Sequence, residues 1–492
     1  MSRTDATSSA VQGSDGRPEL KRVMGPGLLL LFIVGDILGT GIYALTGQVA
    51  GEVGGAAWLP FVIAFAVALV TASSYLELVT KYPQAAGAAL YVHKAFGKHF
   101  LTFLVGFAVM CSGITSASAA SRAFAANLVT GFGIDAGNLL VLLIALGFMC
   151  LVLLANLRGA AESLKANVLL TAVELSGLLL VILISGYFIA GGNADFSRVV
   201  AFESGPEKGV FLAVSTATSL AFFAMVGFED SVNMAEETRN PTRVFPRVMF
   251  TGLGITGLIY VLVSVCAVAV VPVGRLASSE TPLATVVRTA APDFPIADLL
   301  PFISMFAVAN SALINMMMAS RLLYGMSRQG VLPPSLAKVH AVRRTPQVAI
   351  LFTTVIAFGL ITFVSLRPDS PVVALLGGTT SLLLLTVFAV VNLSVLVLRR
   401  DTVDTHHFRA GRVLPAVGAL TCLYLVLPWS SGRPADQYRI AGALLLIGVV
   451  LWAVTWFIRR RTPVPDAVPD AVPDAVPDAD RPDETVPHTP PW

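Results

Sequence analysis

The sequence predicts an all-α polytopic membrane protein with twelve transmembrane helices. Its core is two inverted repeats of five, with broken helices 1 and 6, and two further helices follow at the C-terminal end. Three observations carry this expectation. Apolar residues fill 55% of the 492 positions and charged residues only 13%, with a mean hydropathy of +0.78; a soluble chain carries about 25% charged residues. The apolar residues gather into twelve windows, each close to the roughly 20 residues that a helix needs to cross a bilayer. Two of those windows, five spans apart, are interrupted by glycine and by acid.

Residues 1–24 are polar and of mixed charge, with no short apolar stretch and small-residue cleavage site, so they read as a cytoplasmic tail rather than a signal peptide. The windows then run at 25–48, 55–79, 98–130, 136–156 and 164–191, which make up the first repeat (25–191). Those at 209–234, 247–271, 294–320, 347–366 and 371–398 make up the second (209–398). Because five is odd, the second set crosses the membrane in the opposite sense to the first. The windows at 411–429 and 438–458 complete the count within 411–458. With the N-terminus inside, 25 of the 33 Lys and Arg fall on the inner side, and the positive-inside rule selects that orientation. Beyond Arg461, four VPDA tetrapeptides begin at Val464, Val468, Val472 and Val476. A proline every fourth residue forbids a helix, so 459–492 read as a disordered cytoplasmic extension.

The interrupted windows are the informative ones. The first reads GDILGTGIYALTG, placing Gly35, Asp36, Gly39, Thr40 and Gly41 in mid-span, and the sixth reads FFAMVGFEDSVNMAEE, with Glu229 and Asp230 close behind Gly227. In hydrocarbon a backbone break is tolerated only where it lines a cavity or is covered by protein. Breaks at corresponding places in two halves point to a central ligand site, because a half-helix N-terminus offers free N–H groups to a carboxylate and unwound carbonyls attract an ammonium. A zwitterion is the ligand this chemistry fits. Gly35 and Gly39 also form a GxxxG pair, whose alternative role is close helix packing.

Four segments carry a family resemblance: GDILGTGIY in span 1, YLELVTKYPQAAGAALYVHKAFG after span 2, GFEDSVNMAEETRNPTRVFPR from span 6, and SRLLYGMSRQGVLPPSLAKVHAVRRTPQVAI after span 8. In this order and topology they resemble the amino acid-polyamine-organocation superfamily of secondary carriers, in the branch similar to cationic amino acid transporters. The resemblance covers residues 25 to about 400 well and the last two spans more loosely. It implies a secondary active transporter of the plasma membrane that carries an amino acid or related amine by alternating access, with protons or another cation as the coupling partner. Matched position by position, it implies a substrate site built from Ile37, Gly39, Thr40, Gly41, Phe223, Ala224, Met225, Val226 and Gly227. The amides near Thr40 and Gly41 would take the carboxylate. Carbonyls of Ile37, Phe223, Ala224 and Val226 would take the ammonium, the Phe223 ring would act as a gate, Met225 would line a side-chain pocket, and Glu229 would support the break.

One position departs from the pattern. Proton-coupled relatives carry a lysine in span 5, where NVLLTAVELSGLLLV here has Glu174. Exposing a charge in a span to hydrocarbon costs about 2.5 kcal/mol or more, which makes an ionisable residue there a functional candidate. Glu174 and Asp36 are therefore the candidates for proton or cation coupling, with a purely structural hydrogen bond the alternative for Glu174.

Other classes fare less well. All six histidines lie outside the spans or at their edges, and no zinc-protease, phosphate-loop or dinucleotide motif is present, so no enzyme, cofactor or metal is expected. The net charge of +3 gives no basis for a nucleic-acid surface, and no motif calls for an obligatory protein partner. Cys111, Cys150, Cys266 and Cys422 sit in apolar runs as small buried side chains. An exchanger, an amino acid sensor and a channel remain as alternatives on the same fold. Glu77, Lys81 and Arg122 are expected to reach water from span ends, and Glu236, Glu237, Arg239, Arg243 and Arg247 to form an inner-loop charge cluster.

Overall fold

The computed structural model describes residues 24–461, apart from 85–86, 159–162, 204–208, 236, 293–295, 329–330, 341–342, 344, 368–370, 402 and 404–405. The VPDA tail and Glu236 lie outside the described residues. Eleven helical segments are long and apolar enough to cross a membrane, and a twelfth, Leu414–Val426, is shorter. At 1.5 Å per residue its 13 residues reach about 20 Å, less than the roughly 30 Å hydrocarbon core. Pro428 then opens a separate turn, Pro428–Ser431, that prolongs it. Among the described residues β pairing is confined to two isolated bridges.

Span 1 is two helices, Pro26–Leu38 (1a) and Thr40–Val53 (1b), separated at Gly39, whose ψ of −143° is far from helical. Span 2 is Trp58–Lys81, span 3 His99–Gly131, span 4 Asn138–Arg158 and span 5 Ser163–Ala190. Span 6 begins as an α-helix over Val210–Ala221 (6a), tightens to a 3₁₀ turn over Phe222–Met225, opens at the extended Val226, and resumes as a second 3₁₀ segment, Asp230–Met234. Both breaks therefore fall where glycine and acid interrupt the apolar run.

Span 7, Pro241–Val270, starts six residues before the apolar window because Asn240 takes a left-handed conformation (φ 49°) and Pro241 opens the helix. Span 8, Ile296–Arg328, runs eight residues past its window. Its last turns carry Arg321 and Arg328, which hydropathy counts against a span although the helix continues. Spans 9, 10 and 12 are Gln347–Ser365, Val372–Leu398 and Ala435–Arg461. Span 3 is the central post: spans 8 and 10 pack along it, and spans 4, 9 and 12 lean against it.

The two bridges tie the ends of the broken helices in same-side pairs. Before span 1a, the Met24 N–H donates to the Glu237 carbonyl and the Arg239 N–H donates to the Met24 carbonyl, both at 3.0 Å. After span 1b, Gly54 bridges Phe202, which precedes span 6a. Main-chain bonds thus join the loop between spans 6 and 7 to the bundle. Among the described residues no ion pair joins Glu237, Arg243 or Arg247, so the expected charge cluster is not formed by these three. Cys111, Cys266 and Cys422 are buried as expected, while Cys150 is exposed on span 4.

The charges expected to reach water from span ends are instead buried and paired. Arg399 donates from Nε and Nη2 to the two carboxylate oxygens of Glu77 at 2.9 and 2.7 Å, and the Ala410 N–H adds a third donor. Lys81 donates to the carbonyls of Leu398 and Asp401, capping the end of span 10. The Tyr82 hydroxyl donates to Asp401 Oδ2. Burial and that hydrogen bond push the phenol above its ordinary range. Arg122 pairs with Glu280 at 3.0 Å. At these three positions the chain beyond the spans covers the span end, so the side chain meets protein before it meets solvent.

Candidate functional site

The two breaks meet at the centre of the bundle. Gly227 stands at φ 126°, open to glycine and strained for any other residue. A β-carbon there would lie 2.8–3.0 Å from the backbone of Asp36 and Ile37. On the opposite side, a β-carbon on Gly41 would lie 2.4 Å from the Ala224 Cα. Main chain thus rests on main chain across the breaks, and glycine at both positions permits it. Gly35 and Gly39 serve packing as well: their faces abut the Thr171 side chain of span 5 and the Ser311 side chain of span 8. The packing and site readings of GxxxG hold together, since Gly39 is also where the helix stops.

Between the breaks lies a small cavity of about 20 Å³, lined by Asp36, Ile37, Gly39, Thr40, Gly41, Phe223, Val226 and Gly227, with Ser116, Asp230, Ser311 and Asn315 completing it. Of the expected substrate residues, Ala224 and Met225 are absent from its wall. A 3₁₀ turn repeats every three residues, so Phe223 and Val226 share one face while Ala224 turns to Gly41 and Met225 into the packed interior. Phe223 also packs against Gly377 of span 10, walling one side. A second, smaller space shares Val226, Asp230 and Asn315 and continues past Glu229 to Met318, Leu322 and Leu384.

Span 1b starts with no side chain capping its first amides, so the helix N-terminus that borders the cavity keeps its orphan donors and partial positive charge. The Ile37 carbonyl, expected to be open to an ammonium, already accepts the Tyr260 hydroxyl of span 7 at 2.5 Å. The Glu229 carboxylate is likewise engaged: its Oε2 accepts the Gly227 N–H at 2.8 Å, bracing the break from within.

Asp36 and Glu174 behave differently. Both oxygens of Glu174 are buried without a hydrogen-bond partner, as are Asp36 Oδ2 and the hydroxyls of Thr40, Thr171 and Ser311. Glu174 lies outside the cavity wall, one turn beyond Thr171 on the span 5 face that meets span 1, where the Tyr43 hydroxyl donates to its backbone carbonyl at 2.8 Å. Buried polar atoms in proteins are nearly always bonded. Other unpartnered atoms are scattered through the bundle, but among the described residues both oxygens of Glu174 and Asp36 Oδ2 are the carboxylate atoms in this state, and they lie on span 1 and the span 5 face against it.

Sequence reading missed Ser116, Asp230, Ser311 and Asn315. A signal for three of them was present: ITSASAAS in span 3 and NSALIN in span 8 are small-polar runs inside apolar helices, with Ser311 and Asn315 one turn apart on one face. Asp230 stands out in the sequence only as an acid close behind Gly227, and it lines both spaces.

Comparison with known proteins points the same way. The amino acid permease family profile matches residues 28–454. Branched-chain amino acid permease BcaP of Bacillus subtilis is 26% identical over 448 residues, covering 86% of this chain and 92% of its own. The methylthioribose transporter of the same organism is 26% identical over 426 residues, covering 83% and 88%. Cationic amino acid transporter 9 of Arabidopsis thaliana is 28% identical over 354 residues, covering 68% and 60%.

Proposed function

The chain belongs to the amino acid permease family, and from that premise we propose that it carries an amino acid across the cytoplasmic membrane by alternating exposure of the central cavity, driven by protons. Its core in this reading is the two five-span repeats, 25–191 and 209–398, with both termini cytoplasmic as the positive-inside rule requires. The single observation that carries the proposal is the cavity between two facing breaks, bounded on one side by uncapped amides and on the other by unpaired acid.

The substrate carboxylate docks at the Thr40 and Gly41 amides of span 1b, where a helix N-terminus favours an anion. Asp36 and Asp230 face the same space and supply the counter-charge for the ammonium. Two acids on so small a wall favour a substrate with a second positive group, so a dibasic amino acid is preferred over a neutral one. Neither identity follows from the relatives, which are named for branched-chain amino acids, methylthioribose and cationic amino acids. A cavity of about 20 Å³ has room for roughly one water. The conformation described is therefore a closed one, and the halves of spans 1 and 6 must part to admit an amino acid.

Glu174 carries the proton in this scheme. Its unbonded carboxyl, buried against span 1, is supported when it holds a proton and costly when ionised and alone. Proteoliposomes provide the test. Labelled arginine or lysine accumulates by counterflow in vesicles preloaded with the unlabelled amino acid, and an imposed inward proton gradient drives uptake into empty vesicles. No counterflow for any amino acid or amine removes the carrier reading in favour of a channel or sensor. Counterflow without gradient-driven uptake identifies an exchanger.

A further inference from the structure

Spans 9 and 12 both lean on span 3, and the space between them is an apolar groove of about 380 Å³ on the outside of the bundle. Its walls are Ile356, Leu360 and Phe363 on one side and Ile440, Leu444 and Ile447 on the other. Small residues, Gly359 and Ala443, keep it open, and a β-carbon on Gly359 would meet nothing within 4 Å.

The groove is apolar along its length and charged at one end. Arg367, just past span 9, and Arg439, in the first turns of span 12, stand at the same membrane face. Among the described residues they share a single acid: Arg367 Nη1 donates to Asp436 Oδ2 at 2.6 Å and Arg439 Nη1 to Asp436 Oδ1 at 2.9 Å. Two cations on one carboxylate leave an excess positive charge, and each guanidinium keeps further donors for an outside acceptor. The Arg367 guanidinium lies over the Phe363 ring at 4.5 Å, which holds it at the groove mouth.

We infer that this groove is a binding site for an anionic phospholipid, one acyl chain lying between spans 9 and 12 and the phosphate meeting Arg367 and Arg439. Charge complementarity selects this occupant. A zwitterionic lipid brings an ammonium of its own to a rim already positive. A second copy, related by an axis along the membrane normal, brings an identical positive rim at the same depth, and like charges there oppose association. A phosphate neutralises the rim while the tail fills a groove that matches it in polarity.

The test is native mass spectrometry of the full-length protein released from micelles with phosphatidylglycerol and phosphatidylcholine in equal amounts. A thermal-shift titration with each lipid accompanies it. The expected result is preferential retention of phosphatidylglycerol and stabilisation by it alone. Arg439→Gln should weaken retention about fivefold, the share of one surface arginine, and Arg367→Gln by a similar factor. Gly359→Leu, whose β-carbon meets nothing within 4 Å on the groove wall, should abolish selective retention of phosphatidylglycerol. Equal retention of the two lipids, or wild-type selectivity in both Arg439→Gln and Gly359→Leu, would overturn the site. So would a dimer that Gly359→Leu dissociates while lipid retention stays unchanged. Because none of these residues borders the central cavity, failure here leaves the carrier reading standing, and failure of counterflow leaves the lipid site to be judged by its own readout.

Discussion

Two regions of this protein bury charge, and they do it in opposite ways. Where span 2 ends beside the end of span 10, Glu77, Lys81, Arg399 and Asp401 are linked by a bidentate ion pair and by hydrogen bonds to carbonyls, so that Glu77 meets two nitrogens of a guanidinium and an amide. At the breaks, Glu174 and Asp36 Oδ2 are buried with no hydrogen bond at all. The first arrangement spends its charges on holding helices together. The second leaves them without a partner among the described residues, and in the proposed reading a proton, an ion or the substrate completes them. Buried charge alone therefore says little about function, and the presence or absence of a partner separates scaffold from site.

Breaking the paired region should cost the most stability. Arg399→Ala leaves Glu77 buried without its cation, and loss of one member of such a pair costs about 3–5 kcal/mol; the detergent-solubilised variant should melt well below the parent in a thermal scan. Parent-like melting would mean that the Ala410 amide suffices for Glu77. Next comes Gly227→Val, which forces a side chain onto a φ of 126° and into the Asp36 backbone. Strain of this kind costs about 1–3 kcal/mol, and with the breaks pushed apart, counterflow should disappear even in protein that still folds. Retained counterflow would show that the breaks need not touch.

Tyr82→Phe removes one hydrogen bond to Asp401 and should cost about 1 kcal/mol. The phenol is held above its ordinary range, so it binds its proton more tightly folded than unfolded. Its contribution is present below the unfolded pKa of about 10 and is lost only as pH rises through the higher folded value. The parent and Tyr82→Phe should therefore differ by the same amount throughout pH 5–9, and a difference that shrinks within that window would contradict the assignment. The smallest stability change belongs to Glu174→Gln, because none of the described residues bonds that carboxyl. Its effect should appear elsewhere: counterflow persists while uptake driven by a proton gradient is lost. A large drop in melting temperature with normal gradient-driven uptake would return Glu174 to a structural role.

The same division explains what could be read in advance. Hydropathy located the spans because lipid imposes one rule along the whole chain. It found Leu414–Val426 without its early stop before Pro428, and it ended span 8 too soon because Arg321 and Arg328 count against a span although the helix continues. The breaks were legible because Gly39 and Gly227 violate the local pattern. The cavity wall was legible in part. Ile37, Thr40 and Gly41 lie beside a break in the chain itself, whereas Ser116, Ser311 and Asn315 come from other spans and reach the site only through packing on span 3. Ala224 and Met225 were misplaced for a finer reason, since an α-helical stretch tightened to 3₁₀ rotates each successive side chain by a different angle. Tyr260, which occupies the Ile37 carbonyl, stands 223 positions away and leaves no trace in the motif.

Arg433 behaves as a third kind of buried charge. Its guanidinium is buried between spans 6, 10, 11 and 12, and among the described residues it forms no ion pair. It donates to the carbonyls of Leu425, Gly378 and Ser219, to Gln437 Oε1 and to Ser381 Oγ. Burial draws it down only to about 10, so it stays cationic at neutral pH, held by neutral oxygens that share its charge. The last two spans are sewn to the repeats at this point.

The bridges at Met24 and Gly54 have a mechanical meaning. Each yokes one half of span 1 to the half of span 6 on the same side of the membrane, by main-chain bonds indifferent to side-chain identity. Bonds of this kind couple the two half-helices, so the aperture on either side depends on how the coupled pair sits against the spans around it.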